Sequence, residues 1–157
     1  LEFRRVLFRS YRLHRSHRFI IKKLCEPLCL SVLVAKKVAR KKMKNLQIKE
    51  TTDSPAVNLD ADSGILEIKG RSIADDIKHF YQPVLTWIDS YIKKPHQKTV
   101  MKMFFYYYNT ASSKSISDIL KKLEALHKKG FDVKVCWYYD EGDEGSMEDG
   151  EDFREIM

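Results

Sequence analysis

The stretch Met103-Phe-Phe-Tyr-Tyr-Tyr-Asn-Thr-Ala-Ser-Ser-Lys114 leaves a folding chain few choices. Its apolar and aromatic run has strand character, and apolar residues at helical spacing follow at Ile116, Ile119, Leu120, Leu123 and Leu126. A strand therefore hands over to a helix within Asn109-Thr110-Ala111-Ser112-Ser113. The first turn of a helix carries unpaired N–H groups and partial positive charge, which together favour an anion. Two readings of the hydroxyls follow, and the spacing leaves both open. Ser and Thr are ordinary N-caps. A phosphoryl group on Thr110 would also sit well, placing about two negative charges and three acceptor oxygens where backbone amides and Lys114 can receive them.

The strand before this junction is expected from Thr99 to Tyr108. Met101, Met103, Phe105 and Tyr107 fall on one face, and Val100, Lys102, Phe104, Tyr106 and Tyr108 on the other. Apolar groups on both faces mark an interior strand. The helix is expected from about Ser113 to Lys129, with Lys121, Lys122, Lys128 and Lys129 solvated and Gly130 as its stop. A last strand over Asp132 to Tyr138 completes a strand–helix–strand unit, and such units are almost always right-handed with parallel strands. Tyr106, Tyr108, Tyr138, Tyr139 and Asp140 then share the carboxyl edge of the sheet with Thr110. Open α/β sheets bind ligands and partners at that edge, so these residues form a candidate docking surface.

Upstream, Leu46 to Thr51 alternates as a strand does. Ala56–Leu59 and Ile65–Lys69 flank the turn residues Asp60-Ala-Asp-Ser-Gly64 and read as a hairpin. Asp60 and Asp62 lack the further carboxylates of a calcium loop. Ile77, Phe80, Tyr81, Val84, Ile88, Tyr91 and Ile92 recur at helical spacing, with Ser72 and Asp75 resembling a capping box and Pro83 expected to kink or divide the helix. The fold class is thus α/β: one domain with a small mixed sheet of about four to five strands, packed by two main helices. The acids from Asp140 to Asp152 are expected as a solvated loop that can steer a basic partner. Phe153-Arg-Glu-Ile-Met157 reads as the start of a further element, so the domain is expected to be truncated at this end.

The net charge of +7 over 157 residues divides unevenly. Residues 1–42 hold 13 Lys and Arg against 2 acids, whereas residues 43–157 hold 16 against 20, a net of −4. Phe3-Arg-Arg-Val-Leu-Phe-Arg-Ser10 resembles a sequencing-library adapter read as protein. Residues 1–42 are therefore expected to be an artefactual basic arm outside the domain, with Met43 the natural start. A genuine arm of this composition would bind nucleic acid or an anionic membrane by charge alone. His14, His17, Cys25 and Cys29 match no standard zinc spacing. Cys136 alternates with strand positions and reads as a buried thiol; nothing implies disulfides, which fits a reducing, cytoplasmic setting.

Asn109-Thr110-Ala111-Ser112-Ser113-Lys114, followed by Asp118-Ile-Leu-Lys-Lys-Leu123 and Trp137-Tyr-Tyr-Asp140, resembles the SiaC-type regulatory phosphoproteins over about Thr52 to Phe153. Their motif reads Asn-Thr-Ser-Ser-(Ser/Ala)-Lys, and Ala111 departs from it by one hydroxyl. The resemblance implies a STAS-like fold, akin to anti-sigma-factor antagonists, and a non-enzymatic phosphoswitch. It implies that Thr110 is the phosphoacceptor, surrounded by Asn109, Ser112, Ser113 and Lys114. A protein kinase and a phosphatase would act on Thr110, and the unphosphorylated form would bind and activate a diguanylate cyclase in c-di-GMP control of biofilm. No cofactor, metal, nucleic acid or membrane is expected. The competing class is a hydrolase using Thr110, Ser112 or Ser113 as nucleophile, with His79, His96 or His127 as base. No Gly-x-Ser-x-Gly elbow or P-loop accompanies these residues.

Overall fold

The computed structural model of the chain describes residues 7–13 and 43–155. Its elements run β1 (Leu7–Leu13), β2 (Leu46–Ile48), β3 (Ala56–Asp60), β4 (Ile65–Ser72), α1 (Ile77–Tyr91), β5 (Lys98–Tyr108), α2 (Thr110–Lys128), β6 (Asp132–Asp140) and α3 (Glu144–Glu155). The β3–β4 hairpin turns where the composition says it should. The Asp60 carboxylate accepts the Asp62 amide at 2.9 Å and the Ser63 hydroxyl at 2.8 Å, the bonding of a turn. Those donors, the Ser63 hydroxyl first, hold the carboxyl below its ordinary range. Gly64 closes the turn at φ 70°, and a Cβ there would overlap the Lys98 carbonyl.

Two strand–helix–strand units follow, β4–α1–β5 and β5–α2–β6, and both strand pairs are parallel. The sheet order is β1-β6-β5-β4-β3-β2. One face carries the core: Leu66, Ile68, Met101, Met103, Val133, Val135 and Trp137 meet Tyr81, Val84 and Ile88 of α1 and Ile116, Ile119, Leu120 and Leu123 of α2. The amphipathic spacing of both helices thus finds its partner. Pro83 does not divide α1; it lies exposed within one continuous helix. Nor does Ser72 cap it. Asp76 does, accepting the His79 amide at 3.1 Å, while Ser72 ends β4 with its side chain buried. Among the described residues no helix is long and apolar enough to cross a membrane.

Three expectations change. Residues 1–42 are expected outside the domain, yet Leu7–Leu13 is a sixth strand, parallel to β6 from Leu7 opposite Lys134 to Leu13 opposite Asp140. An edge strand offers a row of unpaired N–H and C=O groups, and a run such as LFRSYRL has the composition to pair with them. His14, His17, Cys25, Cys29 and the Lys-rich end of the arm lie outside the described residues. Second, the acidic segment expected as a loop is mostly helix. Asp143 caps α3 by accepting the Ser146 amide at 2.9 Å, and the first-turn Glu144 suits the positive end of the helix. Third, Phe153 begins no new element; it is buried in α3 with its ring 5.3 Å from that of Trp137.

Gly150 is what lets α3 approach. A Cβ at that position would stand 2.7 Å from Cδ1 of Trp137. Alanine favours a helix over glycine by about 1 kcal/mol, whereas overpacking a tight contact costs about 1–3 kcal/mol. The second effect wins if the ring cannot retreat, and Trp137 is held by an indole N–H bond to the Ser146 carbonyl at 2.8 Å. We expect Gly150→Ala to lower stability in urea titration by roughly 1 kcal/mol; a gain instead would show that the ring gives way.

Candidate functional site

The junction between β5 and α2 begins one turn earlier, at a bulge. β4 and β5 run in register as far as Gly70 opposite Phe105, then resume with Arg71 opposite Tyr107. Tyr106 is the extra residue, and strict alternation fails beyond it. Phe105 and Tyr108 consequently both turn to the core face, their rings 5.7 Å apart, while Tyr106 and Tyr107 are 48% and 60% exposed. Alternation alone assigns Tyr107 to the buried face. It is the most exposed large aromatic residue on this edge, and the missing signal was the bulge.

α2 starts at Thr110, three residues before the expected Ser113, and Asn109 rather than a serine or threonine caps it, its side-chain oxygen accepting the Ser112 amide at 2.9 Å. Its own amide donates to the Ser72 carbonyl at 3.2 Å, and its carbonyl accepts the Ser113 amide at 3.0 Å. The hydroxyls then part company. Ser112 is fully buried, and its Oγ lies 2.6 Å from the Ser72 carbonyl and 2.9 Å from Asn109 Oδ1. The Ser72 hydroxyl sits 2.9 Å from Ser112 Oγ and 2.9 Å from the Tyr81 hydroxyl. Each hydroxyl has one proton, so the consistent order is Tyr81 to Ser72, Ser72 to Ser112, and Ser112 to the Ser72 carbonyl across its short contact. Burial pushes the Tyr81 phenol up to about 12, so Tyr81 stays a donor at neutral pH. Sequence reasoning named Ser112 as a neighbour of Thr110 but missed Ser72 and Tyr81, whose bonds join residues far apart in the chain.

Thr110, the first residue of α2, is exposed; so is Lys114, while Ser113 is half-buried. The five aromatic and acidic candidates for docking divide. Tyr106 and Asp140 are exposed, and Tyr138 lies opposite Phe104 on the sheet face away from α1 and α2. Phe104 meets Tyr106 edge-on at 4.8 Å and carries the Lys69 ammonium 5.5 Å over its ring. Tyr108 and Tyr139 instead pack against the core. Burial, joined by the carboxylates of Asp149 and Asp152, drives the Tyr108 phenol well above its ordinary range.

A family model described as SiaC family regulatory phosphoprotein matches residues 48–157. The chain belongs to the SiaC family. It is 31% identical over 113 residues to an uncharacterized protein of Pseudomonas aeruginosa strain UCBPP-PA14, covering 72% of this chain and 90% of that one. Apo-SiaC from Pseudomonas aeruginosa superposes with a TM-score of 0.66 at 31% identity, covering 72% of this chain and 92% of the other. SiaC in complex with the diguanylate cyclase SiaD, of which it is the activator, superposes with a TM-score of 0.67 at 32% identity, covering 70% and 90%. The SiaC-family region thus takes in the hairpin, both crossover units and the Asn109–Lys114 motif.

The buried hydroxyl chain makes Ser112 the costly position in that motif. Ser112→Ala would leave the Ser72 hydroxyl without its acceptor and the Ser72 carbonyl short of a donor, a loss of about 1–3 kcal/mol. Ser113→Ala, on a half-exposed site, should stay within about 0.5 kcal/mol of the parent. Urea unfolding of the two variants side by side checks the ordering.

Proposed function

We propose that this chain is a non-enzymatic phosphoswitch: a protein kinase phosphorylates Thr110, a phosphatase removes the phosphate, and the unphosphorylated form binds and activates a diguanylate cyclase in cytoplasmic c-di-GMP signalling that controls biofilm. The observation that carries the reading is the contrast between two hydroxyls. Ser112 is buried in the core, whereas Thr110 is exposed on the first turn of a capped helix, beside exposed Tyr106 and Tyr107. Membership of a family of regulatory phosphoproteins supports it, as does the SiaD complex formed by a relative. A phosphate on Thr110 adds about two charges that a docking partner must either pair or desolvate, which changes partner preference without refolding the domain.

A hydrolytic use of these hydroxyls finds less support. A nucleophile needs a base within hydrogen-bond reach. His96 is bonded to Lys98, at the start of β5, and His127 to Phe131 below the last turn of α2. Thr110 follows the other end of β5, roughly 30 Å away along an eleven-residue strand. His79 is exposed on α1 and is bonded to Asp76 through its amide alone.

Co-expression with the genes that neighbour its own, followed by intact-mass measurement and fragmentation, tests the assignment. One phosphate on Thr110 is expected, lost in Thr110→Ala and kept in Ser113→Ala. Phosphate on another residue would reject it. The phosphorylated chain should bind a diguanylate cyclase that the unmodified chain activates at least tenfold more weakly than the unmodified chain does, equivalent to about 1.4 kcal/mol, by calorimetry.

A further inference from the structure

The two crossover units put α1 and α2 on the same face of the sheet, and α3 joins them there through Phe153 and Trp137. The strands that those units connect are parallel, and parallel strands in α/β folds are almost always covered on both faces. Among the described residues no helix lies against the other face of β4, β5 and β6. The register shows what that face carries. Glu67, Lys102 and Cys136 form one row across the three strands, and Lys69, Phe104 and Tyr138 form the next. Their neighbours in sequence, Ile68, Met103 and Trp137, point into the core on the opposite side.

Apolar and cationic groups are interleaved on this face. The Phe104 ring meets Tyr106 edge-on at 4.8 Å and lies under the Lys69 ammonium at 5.5 Å. A hollow of about 190 Å³ opens beside it, lined by Lys69, Lys102, Phe104 and Tyr138 among others. It has room for the side chain of a leucine or phenylalanine. Lysine stems extend such apolar surface while their ammonium groups stay in water. Lys69, Lys102 and Lys134, which pairs with Val100 one row below, outnumber Glu67. The face is therefore locally basic in a domain whose net charge over residues 43–157 is −4. The six acids of α3 sit across the sheet from it, on the side of Trp137 and Phe153.

We propose that this face docks an acidic amphipathic helix of a partner protein, whose apolar stripe covers Phe104, Tyr106 and the hollow and whose carboxylates meet Lys69 and Lys102. A sheet face buries its apolar groups against a second layer, as the opposite face does against α1 and α2. Charge selects among the possible occupants, because complementary potentials set which partner is accepted. Residues 14–42 of this chain hold nine Lys and Arg against one acid, the same sign as the face. A second copy offers the acidic α3, but Phe153 of that helix is spent on its own core. Single-stranded nucleic acid stacks on aromatic rings along a positively charged groove, whereas here Glu67 interrupts the lysines and the domain as a whole repels phosphates. The proposal names the chemistry of a partner and stands whether or not Thr110 is the phosphoacceptor.

The test uses the full chain and a synthetic peptide of about 20 residues, long enough to hold a helix. Leucines form one stripe, glutamates fill the rest, and a benzoylphenylalanine in the stripe allows photo-cross-linking. Fluorescence anisotropy reads the affinity, and mass spectrometry locates the cross-link. Attachment within residues 65–71 or 100–106 is expected. Affinity should fall at least tenfold in Lys69→Glu with Lys102→Glu, and by as much when glutamines replace the glutamates of the peptide. Cross-links confined to residues 1–42 or to α1 and α2 would overturn the proposal, as would undiminished binding by the double variant. An oligo(dT) of similar length that displaces the peptide from the same residues would show a nucleic-acid surface and reject it. Absence of binding, with the face held by residues 14–42 or by a second copy, rejects it too. The cross-link map needs no variant, so a double variant that failed to fold would leave that measurement to decide.

Discussion

The site depends on one buried hydroxyl. Ser112 ties the first turn of α2 to the last residue of β4, and through the Ser72 hydroxyl to Tyr81 of α1. Three elements are thereby locked at the carboxyl edge of the sheet. The tie also decides what faces out. Residues advance by about 100° around an α-helix, so two positions apart means about 200°. Turning Ser112 into the core therefore turns Thr110 to solvent. The exposure of one hydroxyl follows from the burial of the other, and a shift of the helix by one residue would destroy both.

Much of this domain was legible in the pattern of its residues, because periodicity reports what a local element buries. The hairpin around Asp60, both amphipathic helices and the strand–helix–strand order follow from apolar spacing and turn chemistry. The Asn109 cap was not read, because apolar spacing begins only at Ile116 and leaves the first turn from Thr110 without a periodic signal. What could not be read were bonds between distant residues. Ser72 looked like a helix cap because a capping box is a local pattern, yet its hydroxyl is taken by Ser112, forty positions on. No spacing rule registers a partner at that separation.

Two further departures have local causes of different kinds. The β5 bulge adds one residue to a strand, which leaves composition untouched and reverses the facing of everything beyond it. Tyr107 and Tyr108 exchange roles on that account alone. α3 was obscured by its acids: low hydrophobicity and high charge are what an unstructured loop also shows. Its docking rests on Phe153, the Trp137–Ser146 hydrogen bond and a glycine small enough to admit an indole. In the fold the lack of a side chain is the contribution of Gly150.

The bulge and the buried hydroxyl act on the same few residues from opposite ends. At β5 the bulge turns Tyr108 inward against Phe153 of α3 and leaves Tyr106 and Tyr107 outward. At α2 the Ser112 tie sends Thr110 outward beside them. Aromatic surface and exposed hydroxyl therefore meet where the strand gives way to the helix. Charge added at Thr110 would thus fall at the same junction as the exposed Tyr106 and Tyr107. A phosphate on the solvated face of mid-helix α2 would find no amide left unpaired to receive it. Position in the first turn of the helix is thus what gives Thr110 unpaired amides within reach.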